Sequence, residues 1–119
     1  MSHRLDWEVD GREWPNRAHS YFVKAAGLTW HVQEFGSAEP NKPKILLLHG
    51  TGSSSHSWRD VAPLLAQRYQ VLAIDMPGHA FTSMPPAEEQ SLSGMSQNVA
   101  ELLRVMSFEP TLVVGHSAG

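Results

Sequence analysis

The residues whose types and spacing suit chemistry are Gly115-His116-Ser117-Ala118-Gly119, directly after the apolar run 111–114. A Gly-x-Ser-x-Gly segment that follows a buried strand is typical of a nucleophile elbow, a sharp turn that lifts the serine hydroxyl clear of the sheet. The turn brings the backbone on either side of the serine close together, so side chains at Gly115 and Gly119 would collide. The pattern predicts that Ser117 is the nucleophile of an acyl-transfer reaction.

Acyl transfer by a serine also needs hydrogen-bond donors at the place where the oxyanion forms. One predicted donor is the backbone N–H of Ala118, next to the nucleophile at the positively polarised start of a helix. The other must come from a loop beside the elbow. The stretch His49-Gly50-Thr51-Gly52 suits this role, because Gly50 and Gly52 leave the backbone N–H of Thr51 free to point into the site.

The segments that would position these residues alternate between two hydrophobic patterns. Largely apolar runs at 45–48, at 71–75, which ends in the polar Asp75, and at 111–114 predict strands that are buried on both faces, as in parallel sheets. Apolar residues at helical spacing predict helices over 58–69 and 92–106. This order predicts an α/β fold with a mainly parallel sheet, flanking helices and right-handed crossovers.

The oxyanion geometry also predicts the order of the strands. For Thr51 to reach the same oxygen as Ala118, strand 45–48 must neighbour strand 111–114, and strand 71–75 must lie on the far side of 45–48. This order places a switch point between strands 45–48 and 111–114, where the direction in which strands are added to the sheet reverses. Clefts of open parallel sheets lie at such switch points, beyond the carboxyl ends of the strands.

Before the parallel unit, segments 21–25 and 28–35 predict an antiparallel hairpin at the edge of the sheet. Residues 1–19 are predicted to be an extended, irregular lead-in, because Asp-Gly and Trp-Pro dipeptides favour turns and extended backbone. We expect this lead-in to lie across the body and bury Trp7 and Trp14. A binding platform of aromatic side chains is the alternative.

Four histidines could be taken for metal ligands or a catalytic base, but their positions in the sequence do not favour these roles. Histidines 49, 56, 79 and 116 belong to turn motifs and lack the i, i+4 pairing of a helical zinc site, so we expect no metal or other cofactor. His49 is interpreted as a structural anchor of the oxyanion loop. Strand alternation points His116 away from the nucleophile, so packing beside the site is expected rather than a role as base.

Two further polar residues, Asp75 and His31, are assigned to the framework. Asp75 is interpreted as a strand-end or turn-capping residue rather than a catalytic acid, since it lies one strand too far from Ser117. His31 alternates with apolar neighbours along 28–35, which places it on the polar face of that strand. We interpret it as a solvated histidine.

Composition excludes several classes of protein. The 119 residues carry a formal net charge of −3 and no basic cluster, which argues against a nucleic-acid partner. Cysteine is absent, so disulfides, thiolate metal sites and cysteine nucleophiles are excluded. No apolar run approaches the length of a membrane span, and the polar start lacks the apolar core of a signal peptide. A cytoplasmic protein is expected.

Taken together, three motifs resemble the N-terminal half of an α/β-hydrolase: His49-Gly50-Thr51-Gly52, Asp75-Met76-Pro77-Gly78-His79 and Gly115-His116-Ser117-Ala118-Gly119. More narrowly, four stretches resemble the magnesium-chelatase accessory proteins of bacteriochlorophyll gene clusters: Trp14-Pro15-Asn16-Arg17, Trp30-His31-Val32-Gln33-Glu34, His56-Ser57-Trp58-Arg59-Asp60 and Val113-Val114-Gly115-His116-Ser117-Ala118-Gly119. The likeness runs over nearly the whole chain. One departure is Ala80, which stands where many relatives have glycine.

The resemblance implies a catalytic triad with Ser117 as nucleophile and with an acid and a histidine supplied later in the chain. We therefore expect residues 1–119 to be a single, incomplete α/β-hydrolase domain that is inactive alone and has an apolar edge strand. Two functions remain open for the complete protein. It is either a serine hydrolase of a small-molecule ester, thioester or amide, which the resemblance associates with magnesium chelation in bacteriochlorophyll biosynthesis, or a non-catalytic accessory protein that handles a porphyrin beside the magnesium chelatase subunits.

Overall fold

The computed structural model describes residues 5–36, 41–50 and 52–115, which form a mixed five-stranded sheet with helices on both faces. The strands are β1 (Ser20–Ala25), β2 (Leu28–Phe35), β3 (Lys44–Leu48), β4 (Gln70–Ile74) and β5 (Leu112–Gly115). The α-helices are α1 (Trp7–Asp10), α2 (Val61–Leu65) and α3 (Leu92–Val105), and 3₁₀ turns cover Arg17–His19, Ser55–Trp58 and Ala87–Glu89.

The sheet has the order β1-β2-β4-β3-β5, which confirms the predicted fold class. Strand β3 lies between β4 and β5 and runs parallel to both. Strands β1 and β2 form the predicted antiparallel hairpin, and β2 continues antiparallel to β4. The hairpin turn at Ala26 and Gly27 has φ angles of 55° and 74°, the positive values that match the twist of two-residue hairpins.

Helices α2 and α3 pack on opposite faces of this sheet. The chain moves from β3 to β4 in one direction and then returns past β3 to β5, so crossovers of the same hand place the two helices on opposite sides. Alternate strand residues therefore enter two separate cores. Buried on the face of α3 are Trp30, Val32, Leu46, Leu72, Ile74, Val99, Leu102 and Phe108. Buried on the face of α2 are Phe35, Ile45, Leu47, Ala62, Val71 and Ala73.

The N-terminal segment differs from the extended lead-in that the sequence predicted. A helical turn, α1, begins after Asp6, whose side chain accepts a hydrogen bond from the backbone N–H of Glu8. The Trp7 ring then folds back over Gly11, where an added Cβ would lie 2.1 Å from the ring. The guanidinium of Arg17 covers the same ring, 4.4 Å from its centroid. The prediction was wrong because the Asp6 cap and the packing of the tryptophan outweigh the local turn preferences.

The same segment covers the polar face of β2. Gln33 Nε2 donates to the carbonyl oxygen of Pro15 at 2.7 Å, and the rings of Trp7 and His31 are 4.8 Å apart. His31 is 0% exposed, so its interpretation as a solvated histidine was wrong. The alternation of residues along β2 correctly predicted that His31 lies on the polar face, but a polar face of a strand can still be buried by another segment.

The helix predicted over 58–69 is much shorter than expected. Backbone bonding changes from a 3₁₀ turn at Ser55–Trp58 to the α-helix Val61–Leu65, with Pro63 as its third residue. Pro63 is tolerated there because the first turn of a helix needs no N–H donor from it, but its ring prevents the α-helix from continuing upstream. The predicted second helix is confirmed closely by α3, in which the side chain of Ser91 accepts from the backbone N–H of Gly94.

Strand β5 is the outermost of the described strands on its side of the sheet. The side chains of Leu112 and Val113 are 53% and 51% exposed. A groove of about 290 Å³ lies between α3 and this strand, and its walls are almost wholly apolar. The described part of the chain therefore has the apolar edge strand that the sequence predicted.

Ala80 has a φ of 45°, in the left-handed region that favours glycine. We expect Ala80→Gly to stabilise the protein by about 0.5–1 kcal/mol, since relief of left-handed strain exceeds the flexibility that glycine adds to the unfolded chain. Ala100→Gly, on the exposed side of α3, is the matched control and should destabilise by about 1 kcal/mol. Urea unfolding of the two variants checks this. An equal loss of stability in both would show that Ala80 is not strained.

Candidate active site

The candidate site lies at the edge of the sheet where β3 and β5 both end. The two strands are parallel neighbours, and Leu48 is paired with Gly115. The two strands therefore end at the same edge of the sheet, at Leu48 and at Gly115. Thr51 and the elbow residues His116, Ser117, Ala118 and Gly119 lie outside the described residues, so the convergence of the Thr51 and Ala118 amides stays a prediction.

His49 connects the end of β3 to the turn after β4. Its Nδ1–H donates to the carbonyl oxygen of Gly50 at 2.7 Å, and its Nε2 accepts from the backbone N–H of Met76 at 2.8 Å. Because a carbonyl only accepts and an N–H only donates, these two contacts require the neutral Nδ1–H tautomer.

The electrostatic surroundings of His49 agree with that neutral state. Burial lowers the pKa of His49. The hydrogen bond to Gly50 raises it, His79 lowers it and Asp75 raises it, and the net pKa lies below its ordinary value. The loop anchor is thus in its neutral form at and above neutral pH.

The glycines of the predicted site have different surroundings. Gly52 has a φ of 80°, which an L-residue rarely adopts, so glycine is required there by conformation. Just before it, the carbonyl oxygen of Gly50 accepts from the backbone N–H of Ser53 at 3.1 Å, which closes a tight turn. At Gly115 an added Cβ would meet none of the described atoms within 4 Å. The predicted crowding at the elbow involves residues 116–119, which lie outside the described residues, so it stays a prediction.

Sequence reasoning missed a polar centre at the end of β4. Asp75 is 0% exposed and, among the described residues, accepts hydrogen bonds from His31, Ser55 and Phe81. Its Oδ2 accepts from His31 Nδ1–H at 2.7 Å and from the Phe81 backbone N–H at 3.2 Å, and its Oδ1 accepts from the Ser55 backbone N–H at 2.8 Å. Asp75 therefore caps two loops at once, in line with its interpretation as a capping residue.

These donors decide the charge state of Asp75. Burial by itself raises the pKa of Asp75, but the hydrogen bond and charge interaction with His31 lower it, as do the backbone N–H groups of Ser55 and Phe81. The net pKa lies below its ordinary value. Asp75 is an ionised, buried carboxylate, and each of its partners must donate to it.

Aromatic rings surround the His31–Asp75 pair on the side away from the sheet. Trp7 and Phe81 lie against the imidazole with ring centroids at 4.8 Å and 5.5 Å. Trp14 packs edge-on against Phe81 at 5.1 Å, and its Nε1–H donates to Ser55 Oγ at 3.4 Å. The N-terminal tryptophans therefore pack against this centre, as expected of a segment that lies across the body.

The described residues contain neither a cluster of metal ligands nor a helix that could span a membrane. In ranges 5–36, 41–50 and 52–115, no three His, Asp or Glu side chains come together as a metal site would require. Among the same residues, the helices lack the combination of length and hydrophobicity that a transmembrane span needs.

Comparison with known proteins decides the family. A model of the alpha/beta hydrolase fold matches residues 43–119. The chain belongs to the α/β-hydrolase family. The match begins just before β3 and includes every motif of the predicted site.

Relatives of this chain are named for different activities. The magnesium-chelatase 30 kDa subunit of Rhodobacter capsulatus is 35% identical over 106 residues, which cover 89% of this chain and 37% of that subunit. Bifunctional epoxide hydrolase 2 of Sus scrofa is 35% identical over 104 residues, covering 86% of this chain and 18% of the enzyme. A crystal structure of a putative lipase from Acinetobacter baumannii superposes with a TM-score of 0.79 at 25% identity, covering 100% of this chain and 40% of that one. The chain thus spans well under half the length of these relatives.

Proposed function

We propose that Ser117 is the nucleophile of a serine hydrolase that acts on an ester, thioester or amide of a small molecule. The observation that carries the proposal is the pairing of Leu48 with Gly115 in parallel neighbouring strands. It gives the segments that carry Thr51 and Ser117 a common starting edge, as a shared oxyanion site requires. Membership of the α/β-hydrolase family supports the same conclusion.

Each remaining residue of the motif has a proposed role. The backbone N–H groups of Thr51 and Ala118 would form the oxyanion hole. His49 would hold the first of these donors in place, which its bond from Met76 N–H supports. Gly50 and Gly52 would shape the same loop.

The elbow also needs its flanking residues. Gly115 and Gly119 would allow its close approach, and His116 would pack beside it. The triad acid and histidine are proposed to lie beyond residue 119, because in this fold both follow the elbow.

A second candidate function rests on a specific similarity. The relative named as a magnesium-chelatase subunit is 35% identical to this chain over most of its length. The complete protein would then be an accessory protein of bacteriochlorophyll biosynthesis that binds a porphyrin, works with magnesium chelatase subunits and performs no chemistry at Ser117. Fold alone does not choose between the two functions, because the same scaffold serves many activities.

Labelling of the full-length protein with a fluorophosphonate probe separates the candidates. We expect about one probe per chain, on the peptide that contains Ser117, because only an activated serine attacks the probe at neutral pH. Heat-denatured protein is the control and should stay unlabelled. Absence of labelling in a folded protein, with saturable quenching of tryptophan fluorescence by protoporphyrin, would reject the hydrolase and support the accessory role.

A further inference from the structure

The segment between His49 and Ser55 is fixed at both ends to the residues that follow β4. At one end, His49 Nε2 accepts from the backbone N–H of Met76 at 2.8 Å. At the other end, the backbone N–H of Ser55 donates to Asp75 Oδ1 at 2.8 Å. Thr51, the proposed oxyanion donor, stands between these two attachments in the sequence.

The second attachment depends on a carboxylate that is itself held from several sides. His31 Nδ1–H donates to Asp75 Oδ2 at 2.7 Å, and both side chains are 0% exposed. The strands add a backbone bond of 3.0 Å from Asp75 N–H to the carbonyl oxygen of His31. A buried carboxylate with one charge-assisted side-chain bond and two backbone donors has a single favourable orientation.

His31 is also fixed by its surroundings. Its backbone N–H donates to Thr82 Oγ1 at 2.9 Å, and its Nε2 lies 2.9 Å from Ser20 Oγ. The ring of Trp7 closes the outer side at 4.8 Å. The imidazole therefore approaches Asp75 from one direction only.

We propose that His31 is a positioning residue for the oxyanion loop, because it orients Asp75 so that Oδ1 faces the N–H of Ser55 and holds the loop's far end. The inference rests on the proposed function, since the loop matters to catalysis only if Thr51 stabilises an oxyanion. His31 itself touches no reacting atom. A shift of about 1 Å in such a donor costs on the order of 100-fold in rate.

Two variants of nearly equal shape isolate the bond to Asp75. His31→Asn places an amide N–H where the Nδ1–H stands, whereas His31→Leu places a methyl group there. Both lose the imidazole ring and the contact with Ser20, so they differ chiefly in the donor. We expect His31→Leu to lower kcat for a nitrophenyl ester by about tenfold relative to His31→Asn, with KM within about twofold, since the loop acts in the transition state.

Hydrogen exchange on the full-length protein provides a readout that does not depend on catalysis. Amides in the peptide covering 49–58 should exchange about 10- to 100-fold faster in His31→Leu than in His31→Asn, the range expected for loss of a charge-assisted bond. Glu101→Gln is the control, because it removes an exposed carboxylate paired with Arg104 on α3 and should leave this peptide unchanged.

The outcomes separate the two proposals. Equal exchange in the Asn and Leu variants overturns the positioning role, whatever the activity. Faster exchange in a protein without Ser117-dependent hydrolysis keeps the structural coupling and rejects the hydrolase. If His31→Leu does not fold, Ser55→Pro removes the N–H that donates to Asp75 Oδ1, at the first position of a 3₁₀ turn where proline is tolerated. Unchanged exchange of the neighbouring amides in that variant would equally overturn the proposal.

Discussion

Replacement of Ser117 by alanine in the full-length protein is expected to lower kcat for a nitrophenyl ester by about 10⁴- to 10⁶-fold. The loss is this large because the nucleophile and its base act as a unit, and no other group takes over the attack. Binding and the oxyanion donors remain, so a residual rate above that in water should persist. Stopped-flow measurement of nitrophenolate release, with the protein shown to be folded by circular dichroism, checks this.

A matched serine elsewhere on the chain controls for nonspecific effects. Ser93 is exposed on α3, and Ser93→Ala should leave kcat unchanged. A Ser117→Ala protein that keeps more than about one hundredth of the wild-type rate would contradict the assignment of the nucleophile, because a true nucleophile contributes far more than this.

Asp75→Ala is expected to lower the free energy of unfolding by about 3–5 kcal/mol. The substitution leaves the buried His31 Nδ1–H and the backbone N–H groups of Ser55 and Phe81 without their acceptor. Each buried donor without a partner costs about 1–3 kcal/mol, so three donors near the lower end of that range give a total of this size. Urea unfolding followed by tryptophan fluorescence measures the loss, and Trp7 and Trp14 report on the same region.

Two further variants show where the stability comes from. Asp75→Asn keeps one acceptor oxygen and should lose less than Asp75→Ala. Glu101→Ala removes an exposed carboxylate and should change the midpoint little, since exposed ion pairs contribute little. If Asp75→Ala and Glu101→Ala lowered stability equally, the buried network would not contribute as described.

The strand order could be predicted from sequence because the motifs themselves require it. Two donors that serve one oxygen need adjacent strands, and the observed neighbours β3 and β5 follow that requirement. Continuous apolar runs and the spacing of α3 added local signals that agree with the tertiary packing. The hairpin was also predicted correctly, because its turn residues and the patterns of its two strands both favour it.

The environment of His31 could not be predicted because it depends on a segment distant in sequence. Alternation along β2 shows which residues share a face, but not that Trp7 covers that face. The sequence did contain a signal for this pairing. Asp75 directly follows a continuous apolar run, and a carboxylate that is buried there needs a hydrogen-bond donor nearby. The short α2 had a visible cause in Pro63, whereas the turn of α1 depends on a single Asp6 cap.

The most direct measurement is a crystal structure of the full-length protein after reaction with a phosphonate inhibitor. We predict a covalent bond from Ser117 Oγ to phosphorus, with the phosphoryl oxygen about 3 Å from the backbone nitrogens of both Thr51 and Ala118. An adduct on another residue, or a phosphoryl oxygen that faces neither amide, would contradict the claim that these two loops form one catalytic site.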